Sequence, residues 1–491
     1  MTDLVPLRLD APRSAAPDPA SGPVPPPVST PPPPAVRLER ISKTFGAVRA
    51  LDDVSLHIPG GTTVAVIGAN GAGKSTLLAT IAGLTPPTSG TVTVAGTTAG
   101  DAEERSALLG ALTHTTMLYD HLTGRENLEL HARLRGLSRT RVEDVIDQMG
   151  LAEMADRPTA GRSHGTRKRL ALARALLHDP PVLLLDEPFA GLDPASSQRL
   201  MRTLEILRGS HTILFSTHDL ARATAAADRI VEIDAGRITA MRSTAPSHPP
   251  PAPVGGPHRA GHQERTQPAG MLRTAWEIVR KDLVVETRSR AMATSVLMLA
   301  VLLATVLGMA FEPLAGSPHA VSGVLWVLVA FTGLHGLVRS FDEDARDDAL
   351  RGLLLAGADP AGIYLGRVVS TTLVLLTVAG AATLTVAVLF AAPALLHVLP
   401  RLLIVVTLAV VGLAAVGTIL TVLARHSRLG ETLLPLLFLP LAVPVLLAGI
   451  DSVVILLEAG ELDGGWVRVL VAYAVGMLAA GTVVFDHAVE G

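Results

Sequence analysis

The sequence predicts two fold classes in one chain, a soluble α/β domain with a parallel sheet core and then an all-α membrane domain of six spans. Three observations carry this. At 491 residues the chain has room for two or three domains. With 49% hydrophobic and 17% charged residues and a mean hydropathy of +0.43, it is too apolar to be wholly soluble. The apolar content is also uneven. Residues 36–242 alternate short runs such as Val64-Ala65-Val66-Ile67 and Val182-Leu183-Leu184-Leu185 with helical stretches, whereas long uncharged segments follow Met271.

Composition excludes several chemistries. Without cysteine there are no disulfides, thiolate metal sites, iron–sulfur clusters or cysteine nucleophiles. A formal charge of -3 gives no basic field, so no nucleic-acid partner is expected. Lysine occurs four times against 37 arginines, a bias that fits GC-rich coding and by itself points to no mechanism.

Residues 1–35 hold 12 of the 35 prolines and read as a disordered tail, with a proline-rich docking peptide as the alternative. The α/β domain follows at 36–242. Residues 243–270 are a Pro/Gly/His-rich linker, whose His248, His258 and His262 have no preformed geometry for a metal. The membrane domain occupies 271–491, with spans expected at about 291–311, 320–338, 368–392, 402–424, 432–450 and 469–485. Pro435, Pro440 and Pro444 predict a kinked or broken fifth span. Segment 272–290, with Leu272, Trp276, Ile278, Val279 and Leu283 among basic positions, reads as an amphipathic helix at the interface, or as a solvated linker helix.

Six spans leave both ends on one side. Of the short-loop arginines and lysines, eleven lie on that side (Arg273, Arg280, Lys281, Arg288, Arg290, Arg339, Arg346, Arg351, Arg367, Arg425 and Arg428) and two, Arg401 and Arg468, on the other. The positive-inside rule therefore predicts a multi-pass protein of the cell membrane with both termini and the α/β domain in the cytoplasm.

Gly68-Ala69-Asn70-Gly71-Ala72-Gly73-Lys74-Ser75-Thr76 fits G-x-x-x-x-G-K-[ST] between a predicted strand and a predicted helix. Glycines there let backbone amides close on phosphate oxygens, Lys74 adds a point charge on the β- and γ-phosphates, and Ser75 can ligate magnesium. About a hundred residues on, an apolar strand runs into Asp186-Glu187-Pro188. Asp186 is placed to hold magnesium through water, and Glu187 to polarise the water that attacks the γ-phosphate.

Together with Ala190-Gly191-Leu192-Asp193-Pro194 and Ser216-Thr217-His218-Asp219, in that order, these motifs resemble an ABC transporter ATPase, an α/β P-loop fold with a helical subdomain, across the whole of 36–242. The resemblance implies ATP and magnesium as cofactors. It also implies that Asp193 belongs to the loop that communicates between two nucleotide sites, that His218 is the switch histidine at the γ-phosphate, and that Phe45 stacks on adenine. Two departures stand out. Arg162-Ser163-His164-Gly165-Thr166 occupies the place of LSGGQ, keeping Ser163 and Gly165, which by the likeness face the γ-phosphate of the opposite cassette. His114 falls where the family has a glutamine that senses magnesium. Both departures put the strength of coupling in question rather than nucleotide binding.

The stretch from Arg339 to Arg367 is expected to be the longest cytoplasmic loop of the membrane domain, where an ATPase pushes; its acidic Asp342, Glu343, Asp344, Asp347 and Asp348 are either a solvated face or a dock for basic positions. With Leu325-Trp326 and the text from Leu433 to Pro444, it resembles CcmB, the membrane subunit of the haem exporter of cytochrome c maturation, over nearly all of 271–491. Gly357 and Arg367 depart from that family's usual proline and lysine. The front half is then similar to CcmA, its ATPase partner. The likeness implies a homodimer or a paired half-unit working with other cytochrome c maturation membrane proteins and a haem chaperone, with haem as a possible cargo. His335, inside the second predicted span, and the loop residues His319 and His397 are the candidate haem ligands, although one intramembrane histidine also reads as a packing residue. An exporter of lipid, drug or polysaccharide, and a weakly catalytic ATP-responsive scaffold, are the alternative functions.

Overall fold

The computed structural model describes residues 35–98, 102–244, 269–288, 291–311, 317–346, 348–425 and 430–490. Nearly all of the proline-rich tail, and most of the 243–270 segment with its three histidines, lie outside these residues.

The first half runs β1 (Val36–Phe45), β2 (Val48–Ile58), β3 (Thr63–Ile67), α1 (Lys74–Ile81), β4 (Ser89–Val94), β5 (Thr97–Thr98), α2 (Ala102–Leu108), β6 (Leu109–Leu112), α3 (Gly124–Leu134), α4 (Arg139–Gln148), α5 (Ala152–Ala155), α6 (His164–Leu176), β7 (Val182–Leu185), α7 (Pro194–Leu207), β8 (Thr212–Thr217), α8 (Leu220–Ala226), β9 (Arg229–Asp234) and β10 (Arg237–Ser243). Six strands form a sheet in the order β10-β9-β3-β8-β7-β6, parallel except for β10 at its edge. Every residue of β7 and β8 is buried, as in a parallel sheet covered on both faces. A second, antiparallel sheet, β2-β1-β4-β5, joins the same core and was not anticipated. Its β1 buries Val36, Leu38 and Ile41, but bulges near Glu39 to Lys43 interrupt the two-residue alternation that would have announced it.

Register decides the site. Ile67 lies beside Thr217, and Leu185 beside Phe215, so β3, β7 and β8 end at one edge of the sheet. The chain leaving each carboxyl end there carries Gly68, Asp186 and His218 respectively.

The second half is helical: α9 (Met271–Arg288), α10 (Ala291–Ala310), α11 (Pro318–Arg346), α12 (Ala349–Leu355), α13 (Pro360–Leu389), α14 (Ala394–His397), α15 (Leu399–Arg425), α16 (Gly430–Ala459) and α17 (Gly464–Glu490). Among the described residues five helices are long and apolar enough to cross a membrane, at Pro318–His335, Pro360–Leu389, Leu399–Ala424, Leu434–Ala459 and Gly464–Phe485. The first predicted span forms α10, within which Met298–Ala310 is a shorter apolar stretch. Three expectations are corrected. The third span begins well before 368, because α13 continues through Arg367, whose charge is matched by Asp282 at 3.3 Å. The fifth is not broken: a single helix runs through Pro435, Pro440 and Pro444. Each proline forfeits a single amide bond, a loss a helix packed against α11, α15 and α17 withstands. The supposed 339–367 loop is mostly helix: the end of α11, then α12, then the first turns of α13.

Small residues let the spans approach closely. A Cβ on Gly449 would lie 2.4 Å from Trp326 Cε2, and one on Gly412 would lie 2.7 Å from Tyr473 Cδ1.

The two halves interlock. Glu277 of α9 accepts from Arg133 Nε at 2.6 Å, and Arg288 grips Glu126 through both carboxylate oxygens at 2.6 Å. The Lys281 ammonium sits 4.1 Å from the centre of the Tyr119 ring. Thus α9 docks on the first half through charge, while its Leu272 and Trp276 stay exposed. The side chains of Asp342, Glu343, Asp344 and Asp347 lie outside the described residues, and Asp348 bonds to Arg351 on its own helix. Among the described residues the ion pairs that join the helical half to the first half come from α9.

Gly449→Val should clash with Trp326 and destabilise the helical half by roughly 1–3 kcal/mol. The purified protein's thermal midpoint, followed by loss of the monodisperse chromatographic peak, should fall by several degrees; an unchanged midpoint would show that α11 and α16 are not so closely packed.

Candidate functional site

Between β3 and α1 the chain winds over α1's amino terminus. A Cβ on Gly68 would lie 2.2 Å from the carbonyl oxygen of Ile233, and one on Gly73 would lie 2.6 Å from that of Ala50. Gly73 also has φ 107° and Gly71 φ 82°, in the left-handed region that glycine enters without cost. Asn70 is exposed and Ala72 is buried beneath the loop. The Lys74 ammonium donates to the carbonyls of Gly68 and Ala69 at 2.8 and 3.0 Å, holding the loop closed around its own positive charge.

At the end of β7 the buried Asp186 accepts from Ser216 Oγ at 2.6 Å, and the same hydroxyl accepts from the Glu187 amide at 2.8 Å. One serine on β8 thereby fixes both acidic residues. Glu187 takes a φ of 44°, unusual for a residue with a side chain. Its carboxylate lies 3.2 Å from His218 Nδ1; an ionised carboxylate only accepts, so the proton of that bond is on the imidazole. Lys168 of α6 donates to the carbonyls of Glu187 and Ala190 at 2.8 and 2.7 Å and so caps the turn that carries Glu187.

A cavity of about 180 Å³ brings together Phe45, Ser75, Thr76, His114 and Asp186. Phe45 is half exposed, with Lys43 Nζ 5.0 Å from its ring centre. Glu187 and His218 are outside this lining and reach it through the Ser216 bridge. Ser163, Gly165 and Asp193 gather elsewhere. Ser163 caps α6 by accepting from the Thr166 amide at 3.3 Å, and Asp193 caps α7 by accepting from the Ser196 amide at 2.9 Å. The Ser196 hydroxyl also donates to Asp193 and holds its carboxyl below the usual range. A Cβ on Gly165 would lie 2.8 Å from Ser196 Oγ, and one on Gly191 would lie 3.1 Å from His164 Cδ2. Burial, then Lys168 and Arg167, keep His164 below its ordinary pKa, so it is neutral near pH 7. Within one chain, therefore, the altered signature packs on the Asp193 loop and not on the cavity.

The donor set suits a magnesium nucleotide. The cavity offers a single carboxylate, Asp186, beside the neutral hydroxyls of Ser75, Thr76, Thr85 and Thr113, and no cluster of three or more His, Asp or Glu occurs among the described residues. That is too few ligands for an all-protein metal cage, but enough for an ion that keeps its waters and binds substrate phosphates. His335 is exposed on α11, in line with the exposed Val327 and Phe331 at i-8 and i-4, rather than turned into the bundle. His319 and His397 are exposed as well.

Sequence reasoning missed Ser216 as the bridge and Lys168 as the cap. Ser216 stood inside a quoted motif, two residues before His218. Lys168 had only its rarity to mark it. It also missed Arg351 of α12, which reaches the same cavity wall.

Comparison with known proteins found matches to both halves of the chain. The ABC transporter family profile matches residues 51–190, and the CcmB protein profile matches 273–491. The ABC transporter ATP-binding protein NatA of Bacillus subtilis is 40% identical over 198 residues, covering 39% of this chain and 80% of NatA. The sulfate/thiosulfate import ATP-binding protein CysA of Bordetella bronchiseptica is 42% identical over 219 residues, 43% of this chain; the chain spans 62% of CysA's length. A solved dimeric ATP-binding cassette in a post-hydrolysis state with ADP and Pi is 29% identical, over 43% of this chain and 99% of its own, with a TM-score of 0.40. The chain belongs to the ABC transporter family and carries that family's ATP-binding ATPase domain. More particularly, it joins this domain to a CcmB domain, matching a fusion of CcmA with CcmB.

Ser216→Ala should leave Asp186 and the Glu187 amide short of a partner and lower the ATPase kcat about tenfold, by the roughly 1–3 kcal/mol of an unmade buried hydrogen bond. Steady-state phosphate release by the full-length protein checks this; a kcat within twofold of wild type would remove Ser216 from the site.

Proposed function

We propose that the chain is a half-unit of an ATP-driven machine for haem handling in cytochrome c maturation, in which ATP turnover moves haem or releases a haem-loaded chaperone. The observation that carries the reading is the CcmB match across 273–491 in the same chain as the ATPase.

In this reading the loop from Gly68 to Thr76 and Lys74 bind the phosphate chain, and Phe45 supports the adenine. Ser75 and Asp186 would hold magnesium, which when bound neutralises phosphate charge. Glu187, aimed by Ser216 and Lys168, polarises the attacking water, and His218 senses the γ-phosphate while paired with Glu187. Ser163 and Gly165 serve the cavity of a second copy, for which Asp193 carries the signal, so the working unit is a homodimer or a paired half-unit. The arginine distribution supports a cell-membrane protein with the ATPase and both termini in the cytoplasm, and the contacts of Lys281 and Arg288 with the ATPase half accord with that side. Other cytochrome c maturation membrane proteins and a haem chaperone are its partners.

In cells whose only copy carries Glu187→Gln, haem staining of membrane c-type cytochromes should lose its bands while other haem proteins persist, at matched protein level. Unchanged bands would leave an exporter of another substrate. Vigorous ATP hydrolysis by the purified wild type, lost in Glu187→Gln, would set aside the weakly catalytic scaffold suggested by His164 and Thr166.

A further inference from the structure

We propose that Arg351, a residue of the membrane half, binds the phosphate chain of the nucleotide held by the ATPase of its own chain. Arg351 lies on the wall of the cavity that Ser75, Thr76, His114 and Asp186 also line. Among the described lining residues it alone carries a fixed positive charge, and Asp186 alone carries a carboxylate. Lys74, whose ammonium donates to the carbonyls of Gly68 and Ala69, is not part of this wall.

The position is built, not incidental. One residue on, a Cβ on Gly352 would lie 3.0 Å from the Cβ of Met117 and 3.2 Å from its carbonyl oxygen, so α12 approaches the ATPase about as closely as a helix can. At the helix end Leu355 is buried in the ATPase core, and its carbonyl accepts from Arg135. Such anchoring fixes the Arg351 backbone while leaving its side chain half exposed. The guanidinium donates to Asp348 at 2.9 Å. Its planar fork has further donors for phosphate oxygens, the pairing for which arginine is best suited. Arg351 thus supplies, from the helical half, a cationic contact beside His114, the position that departs from the family's glutamine. Nucleotide entry then pulls directly on α12, and through it on α11 and α13.

The test uses the full-length protein in lipid nanodiscs and the non-hydrolysable analogue AMP-PNP with magnesium, in competition with a fluorescent nucleotide. Arg351→Gln should weaken binding about tenfold, the value of one charge-assisted contact, with the thermal midpoint of the nucleotide-free protein unchanged. Arg351→Lys, which keeps the charge, should return affinity to within about threefold of wild type. Affinity within twofold of wild type in Arg351→Gln, or equal losses in the two variants, would overturn the proposal, the latter because packing and not charge would then be at stake. Cargo does not enter this readout, so its result stands apart from the haem reading.

Discussion

The structure turns on the seat that the ATPase makes for α12. Leu355 is buried among ATPase core residues, while Tyr119, Leu122, Leu130 and Leu134 of the ATPase belong to the apolar cluster of the helical half. Each half completes the other's core, so separating them exposes apolar surface on both sides, at roughly 25 cal/mol per Å². Around this seat two arginines are buried and oriented by carbonyls. Arg135 donates to Leu355 and Ser106, and Arg174 donates to Ala111 at 2.9 Å. Burial lowers both guanidinium pKa values, to about 9 and about 10. They line the path between β6, which leads to His114, and α12. A movement of the strand end that leads to the cavity therefore has a stiff polar route to the membrane half.

On the opposite side of the cavity, stiffness comes from Ser216 and Lys168. Glu187 in a left-handed conformation costs roughly 1 kcal/mol or more and persists only where its surroundings over-determine it. The Ser216 hydroxyl and the Lys168 ammonium are those surroundings. Burial lowers Lys168 from 10.5 to about 8, with Glu187 and Asp186 pulling the other way. Between those values the unfolded chain holds a proton that the folded state has released, so this group's contribution to stability rises with pH across that window.

The lysine count acquires meaning only in three dimensions. All four lysines of this arginine-rich chain occupy structured places: Lys43 against Phe45, Lys74 in the phosphate-type loop, Lys168 under Glu187 and Lys281 against Tyr119. Three of them put an ammonium group on carbonyl oxygens or an aromatic face close to the cavity or its carboxylates. A compact, freely oriented point charge serves there better than a planar fork. The bias that looked like coding noise marks, by its exceptions, the places where charge shape matters.

The amino-acid order alone was enough for the α/β-then-helical architecture, for Gly68 to Thr76, Asp186 and Glu187, and for the order of motifs through His218. Those features depend on local chemistry: short continuous apolar runs, glycines that free backbone amides, uncharged stretches of membrane length. The antiparallel sheet was hidden by bulges in β1, and the true start of α13 by an arginine whose partner, Asp282, lies 85 residues earlier in the chain. Ser216 as a bridge, the docking charges on α9 and the approach of Arg351 to the cavity depend on distances between residues far apart in sequence. Composition and spacing hold no such distances; packing α12 against Met117 and aligning β7 with β8 created them.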